Sequence, residues 1–304
     1  MLVKPKIIVI LGQTSTGKSD FAVKIAKLYN GEIISADSRQ VYKNMDLGSG
    51  KITKKEMRGV PHHLLSVVSP RKIFTVADFK KQADKKIKEI LKTGKVPIIC
   101  GGTGFYIDAV LNDVVLPEVK ANKKLRDKLE KEKVENLYDK LKKLDPIRAE
   151  NIDKYNKVRL IRALEIIATL GIVPEIKNQK QNFNVLKIGL FLPDETLKIK
   201  IHDRLLSRIK KGMLKEIDDL HMKEKISWKR LESFGLEYRF GSQFLQKKIT
   251  KKEMLEKINT ESWHYAKRQK TWFKRDKETI WIDLRELKNT VGIVKKFLDT
   301  NQDI

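Results

Sequence analysis

Residues 6–11, KIIVIL, form a continuous apolar run of strand length, and residues 20–29, DFAVKIAKLY, then repeat apolar positions at helical spacing. The same change of rhythm recurs. GEIISADS at 31–38 is a short strand ending in polar residues, and FTVADFKKQADKKIKEILKTG at 74–94 is an amphipathic helix. Thr75 or Asp78 suits that helix's start and Gly94 its stop. KVPIICGGTG at 95–104 is a third buried strand running into a glycine turn. Strand and helix alternating in this way predict an α/β fold with a parallel, doubly wound sheet. Ligands of such sheets gather at the carboxyl ends of the strands. Three polar clusters fall there: residues 12–19, SADSRQ and GGTG.

From about 114 the pattern changes. Residues 122–152 read as helix, with Leu137, Leu141 and Leu144 at one-turn spacing, and NKVRLIRALEIIATLG is a further helix closed by Gly171. Helices without a strand predict an all-α insertion over 114–183. NFNVLKIGLFLP then returns the chain to the sheet, so residues 1–113 and 184–304 form one discontinuous α/β core with a helical C-terminal part. No internal repeat or low-complexity linker interrupts it.

Charge adds what periodicity cannot. Among 304 residues, 65 Lys and Arg face 39 Asp and Glu, a net charge of +26. A small-molecule kinase has no physical need for that excess, whereas phosphate contacts dominate nucleic-acid affinity. The competing explanation is drift toward lysine in mixed Lys/Glu helices. The lone cysteine, Cys100, excludes an internal disulfide and sits in an apolar run that suits an inert core thiol. His62 and His63 are adjacent without nearby ligand partners, which argues against a metal role. With no signal-peptide pattern and no apolar run of spanning length, the chain reads as a soluble cytoplasmic protein.

Residues 12–19, GQTSTGKS, match G-x-x-x-x-G-K-S between a strand and a helix. Glycines at 12 and 17 let backbone N–H groups form an anion nest at a helix N-terminus. Lys18 brings a full charge to phosphate oxygens, and the Ser19 hydroxyl suits Mg²⁺. The expected diphosphate cradle is therefore Gly12, Gln13, Thr14, Ser15, Thr16, Gly17, Lys18 and Ser19. The loop does not say which polyphosphate it holds. Asp37 falls where the second strand ends, as a magnesium ligand, a proton acceptor or a turn former.

The continuation SADSRQVYKNMDLGSGK resembles the tRNA dimethylallyltransferase (tRNA isopentenyltransferase) family. PHHLLSVVSP, FTVADFKKQA, PIICGGTGFYIDAVL, VRLIRALEI and AKRQKTWFKR follow in that family's order, so the likeness spans nearly the whole chain. It implies a phosphate-loop NTPase-like core and transfer of a dimethylallyl group from dimethylallyl diphosphate to the exocyclic amine of the adenine 3′ of a tRNA anticodon. Mg²⁺ is the implied cofactor, tRNA and dimethylallyl diphosphate are the implied partners, and a monomer is the expected state.

The resemblance makes Asp37 the general base, with Thr103 and Arg204 beside it, Arg204 as a second diphosphate ligand. It assigns contact with the flipped adenine to Asp37, Ser38, Arg39, Gln40 and Thr103. tRNA contact extends to Arg126, to Val158, Arg159, Leu160, Ile161 and Arg162, and to Lys267, Arg268 and Gln269. Arg268, Trp272 and Arg275 share one helical face, a pattern that suits backbone tracking and base stacking. The sequence departs from the family where Gln13 replaces proline, where SFGLEYR at 233–239 replaces a glycine-tyrosine-lysine run, and where LLSVVSP lacks an acidic residue. The rival functions are a small-molecule kinase of the same core, an adenylate isopentenyltransferase acting on a free nucleotide, and a non-catalytic RNA binder.

Overall fold

Strands β1 (Lys6–Gly12), β2 (Gly31–Ala36), β3 (His62–His63), β4 (Val96–Gly101), β5 (Asn184–Phe191) and β6 (Ile280–Asp283) pair in the order β3-β2-β4-β1-β5-β6, every pair parallel. They come from a computed structural model, which describes residues 4–113, 117, 119–174, 182–283 and 290–300. The apolar run of β1 is continuous because both of its faces are covered. Ile7, Val9 and Leu11 pack on one side with Phe79, Ala83 and Ile87 of the helix Val76–Lys92. Ile8 and Ile10 pack on the other with Phe21, Ala22 and Ile25 of the helix Lys18–Leu28. Both candidate start residues of the first of these helices are used. Thr75 is the N-cap and Asp78 completes a capping box, the Asp78 carboxylate accepting the Thr75 N–H at 2.9 Å.

The histidine pair forms the edge strand. His63 Nε2 lies 2.7 Å from Glu32 Oε2, and Lys95 pairs with the same carboxylate. A third apolar cluster joins Val41, Tyr42 and Met45, just past β2, to Met213, Ile217, Leu231, Tyr238, Met254 and Ile258. The C-terminal helices therefore close over the end of the sheet where the polar clusters lie.

The chain divides into two compact units, Met1–Asp113 with Lys180–Ile304, and Val114–Gln179. The second is helical: Lys123–Leu129, Val134–Leu144, Pro146–Glu150 and Lys157–Leu170 surround Leu137, Leu141, Ala149, Leu160, Ile161 and Leu164. Leu144 does not extend the stripe. It ends its helix and is 57% exposed, and Ala149 of the next turn fills the core instead. Among the described residues no helix is long and apolar enough to cross a membrane.

Candidate active site

The phosphate loop leaves β1 at Gly12 and enters its helix at Lys18. Gly17 is the N-cap at φ 76°, a left-handed conformation that a side chain would strain. Within the loop Thr16 Oγ1 donates to the Gln13 carbonyl at 2.8 Å, and Lys18 Nζ donates to the same oxygen. Arg204, on the helix Asp194–Lys210, donates from Nη2 to Thr14 Oγ1 at 2.6 Å. Burial lowers the Lys18 ammonium to about 8, with Cys100 and Asp37 opposing and Arg204 reinforcing the shift. Burial and then Arg208 lower Arg204 to about 9. Desolvated cations at a helix N-terminus are a site for an anion. Ser15 Oγ, buried and without a hydrogen-bond partner among the described residues, adds a polar group that such an anion satisfies.

Asp37 is the first residue after β2. Its Oδ1 accepts the Arg39 N–H at 2.8 Å and the Gln40 N–H at 3.2 Å, so the carboxylate does form a turn. Both bonds fall on one oxygen, and among the described residues no hydrogen bond falls on Oδ2. Thr103, past the end of β4, accepts the Ser38 N–H on Oγ1 at 3.1 Å, which locks the neighbouring strand ends together. Tyr265 reaches this corner as well. Its phenol is raised by burial and by the Asp37 charge, and its hydroxyl donates to the Gly102 carbonyl at 3.4 Å.

One cavity of about 700 Å³ takes in the phosphate loop, Asp37, Arg204 and Tyr265, while Thr103 is not among its lining residues and supports it through Ser38. Thr14, Ser15, Lys18, Asp37, Arg204 and Arg268 line it together. Residues 234–239 of the divergent segment line it too: Glu237 pairs with Arg208 at 2.7 Å, and Tyr238 donates to Glu216 Oε1 at 2.8 Å. Glu216 escaped sequence reasoning. Its carboxylate accepts the N–H groups of Asp46, Leu47 and Gly48 at 2.8, 2.6 and 3.0 Å and so fastens the loop whose next residues, Ser49 and Gly50, line the cavity. Gln40 takes up the loop's far end, its amide donating to the Gly50 carbonyl at 3.2 Å. Cys100 lies at the cavity floor, its thiol pushed up to about 12 chiefly by burial, and is inert.

The residues read as RNA contacts differ widely in exposure. Gln269 is 5% exposed and hydrogen-bonded to backbone on both sides of its amide, so it faces the interior. Leu160 and Ile161 are core residues of the helical unit, because the inward face of their helix passes through them. Their neighbours Val158, 72% exposed, and Arg159 face solvent. Arg126 and Arg162 are half-buried and both bond to the buried carboxylate of Glu165, Arg126 through Nε and Nη2 at 2.8 and 2.7 Å. Lys267 and Arg268 are exposed. Arg275 stacks on Trp272 at 3.8 Å, and the indole N–H is held by Asp108 at 2.9 Å. Gln13, where the family has proline, is buried and donates to the Ala266 carbonyl at 3.3 Å, so it braces the loop from behind.

A parallel sheet, a phosphate loop and a carboxylate sharing its cavity define a phosphate-loop α/β enzyme. Comparison with known proteins makes this specific. The family described as IPP transferase matches residues 40–276. A tRNA dimethylallyltransferase of Anoxybacillus flavithermus is 38% identical over 285 residues, 92% of this chain and 91% of that one. The structure of a full-length tRNA isopentenylpyrophosphate transferase from Bacillus halodurans superposes with a TM-score of 0.74 at 34% identity, covering 97% of each chain. A eukaryotic dimethylallyltransferase described as acting on tRNA reaches a TM-score of 0.81 at 28% identity, over 97% of this chain and 79% of that one. The chain belongs to the IPP transferase family.

Proposed function

We propose that this protein transfers the dimethylallyl group of dimethylallyl diphosphate to the exocyclic amine of the adenine 3′ of the anticodon in tRNA. The observation that carries the reading is that Asp37 and the phosphate loop line one cavity, with Arg204 bonded to the loop. The amine nitrogen attacks the allylic carbon, the carbon–oxygen bond breaks, and the diphosphate leaves with the bonding pair. Asp37 Oδ2 takes the amine proton, an assistance of about 10²–10⁴-fold in such reactions. Loop amides, Lys18 and Arg204 hold the departing charge, which preorganised donors in a dry site do far better than water. ATP has no part in this, since the leaving group arrives already attached.

Mg²⁺ fits the Ser19 hydroxyl, a hard oxygen lining the same cavity, because Mg²⁺ takes few protein ligands beside phosphate and water. When bound it supplies further neutralisation of the diphosphate. The +26 charge and the exposed Lys267 and Arg268 suit a polynucleotide acceptor. The same reading makes this a cytoplasmic enzyme working as a monomer. The test is direct. Protein, Mg²⁺, dimethylallyl diphosphate and an unmodified tRNA are incubated, and the digested nucleosides are weighed by mass spectrometry. A gain of one dimethylallyl group on adenosine supports the assignment, and ATP hydrolysis without prenyl transfer rejects it.

A further inference from the structure

Gln269 lines the cavity and bonds to two of its loops. Its Oε1 accepts the Thr14 N–H at 2.7 Å and its Nε2 donates to the Gly102 carbonyl at 2.8 Å. The orientation of the amide follows from its partners, because a backbone N–H only donates and a carbonyl only accepts. Thr14 belongs to the phosphate loop, and Gly102 immediately precedes Thr103, whose hydroxyl holds Ser38 beside Asp37. The carboxamide is planar, so its oxygen and nitrogen move as one body. Gly102 is what admits it: a Cβ there would stand 2.3 Å from Nε2.

The connection is reinforced on both sides. One turn earlier on the same helix, Lys251–Phe273, the Ala266 carbonyl accepts from Gln13 of the loop. Thr14 is also the residue that Arg204 grips through Oγ1. A diphosphate that draws in the loop and Arg204 therefore acts on Thr14, and through Gln269 on the turn carrying Thr103. The Tyr265 hydroxyl, on the same helix, donates to the Gly102 carbonyl too, at 3.4 Å, so that helix holds this turn at two points.

We infer that Gln269 is a positioning residue that couples the two substrate subsites, so that a diphosphate in the phosphate loop and an acceptor base at Asp37 and Thr103 tighten each other's binding. This rests on the prenyl-transfer reading for the identity of the second ligand. It gives the glutamine a task other than RNA contact.

The test uses the full-length protein and titration calorimetry with inorganic pyrophosphate, in the presence and absence of a saturating unmodified anticodon hairpin. In the wild type the hairpin tightens pyrophosphate by about fivefold or more, and pyrophosphate tightens the hairpin by the same factor, as linkage requires. In Gln269→Met, of similar length but without hydrogen bonds, that factor falls to about one while affinity for pyrophosphate alone stays within about threefold. Gln269→Glu keeps the acceptor for Thr14 and loses the donor to Gly102. It is expected to lose the factor too, and it serves if the methionine variant fails to fold. A wild-type factor retained in both variants, or a factor of one in the wild type, overturns the coupling. Prenyl transfer to the hairpin by the wild type separates this from the functional reading. If transfer occurs and the factor is insensitive to Gln269, only the coupling is rejected, whereas a wild type that neither binds nor alkylates the hairpin overturns both.

Discussion

Arg204 and Thr14 stand 190 positions apart in sequence and meet at 2.6 Å, guanidinium to hydroxyl, at the mouth of the phosphate loop. A fork-shaped cationic donor is thereby aimed at the place a diphosphate occupies. Lysine keeps the charge and loses the fork. Arg204→Lys is expected to lower kcat/KM for dimethylallyl diphosphate by about tenfold and Arg204→Ala by about 10²–10³-fold, as for loss of one preorganised anion donor. Steady-state kinetics with RNA saturating checks this, and equal activity in both variants would remove Arg204 from the diphosphate site.

Asp37 carries two tasks on two oxygens. In Asp37→Asn the amide oxygen still accepts the Arg39 and Gln40 N–H groups, so the turn persists. What is lost is the proton acceptor. The expected result is a fall in kcat of about 10²–10⁴-fold with hairpin affinity nearly unchanged. Rapid-quench single-turnover assays read the chemical step. A kcat within threefold of wild type would leave Asp37 a turn former only.

Lys18 sets opposite pH trends for binding and for stability. It holds its proton less tightly folded, at about 8, than unfolded, at 10.5. Between those values the unfolded chain binds more protons, so the contribution of Lys18 to stability rises with pH across that window. Diphosphate binding needs the charged form and weakens as pH passes 8. Pyrophosphate binding near pH 8 should therefore take up a proton. Calorimetry in two buffers of different ionisation enthalpy measures that uptake, and identical heats in both would contradict it.

Glu216 offers a prediction outside the reacting groups. Its carboxylate holds three consecutive backbone N–H groups and the Tyr238 phenol, and the loop it fastens is tied through Gly50 to Gln40. Glu216→Ala is expected to raise KM for RNA by about tenfold, in keeping with loss of hydrogen bonds to a charged acceptor. Affinity for pyrophosphate, which the other wall of the cavity binds, should stay within about twofold. Equal weakening of both ligands would mean the loop serves general stability.

The core was legible because its signals are local. The apolar run, the glycine loop and the helix that follows lie within 24 residues of one another, counting Lys6 to Tyr29, and Asp37 announces itself at a strand end. The roles of Glu216 and Gln269 depend on partners more than 160 residues away. Gln269 had a signal nonetheless. Met254, Ile258, Ser262, Ala266, Gln269 and Phe273 repeat at helical spacing and are the buried stripe of their helix, so a glutamine in that stripe needs interior partners. The basic residues on either side of it point to RNA and hide this. In the insertion, the segment 158–162 alternates between core and surface within one turn, so no contiguous stretch of helix can face a ligand with every residue.

Glu165 tests how the helical unit is held together. It is buried and accepts from Arg126, from Arg162 and from the Asn122 N–H, which joins the helix Lys123–Leu129 to the helix Lys157–Leu170. Burial alone would raise its carboxyl, but hydrogen bonds from Arg126, Arg162 and Asn122 outweigh burial and hold it down to about 2. A depressed folded-state value means that the stabilisation is complete above the unfolded value of 4.5 and is lost as pH falls toward 2. Glu165→Gln keeps the shape, removes the charge and leaves two guanidiniums without their counterion. Both arginines are about one-third exposed, so water takes over part of that loss, and the expected cost is about 1–3 kcal/mol, below that of a fully buried broken pair. Hydrogen exchange across residues 157–170 should quicken in the variant at pH 7, and the difference from wild type should shrink on acidification below pH 4. A difference independent of pH would assign the effect to packing and not to the carboxylate charge.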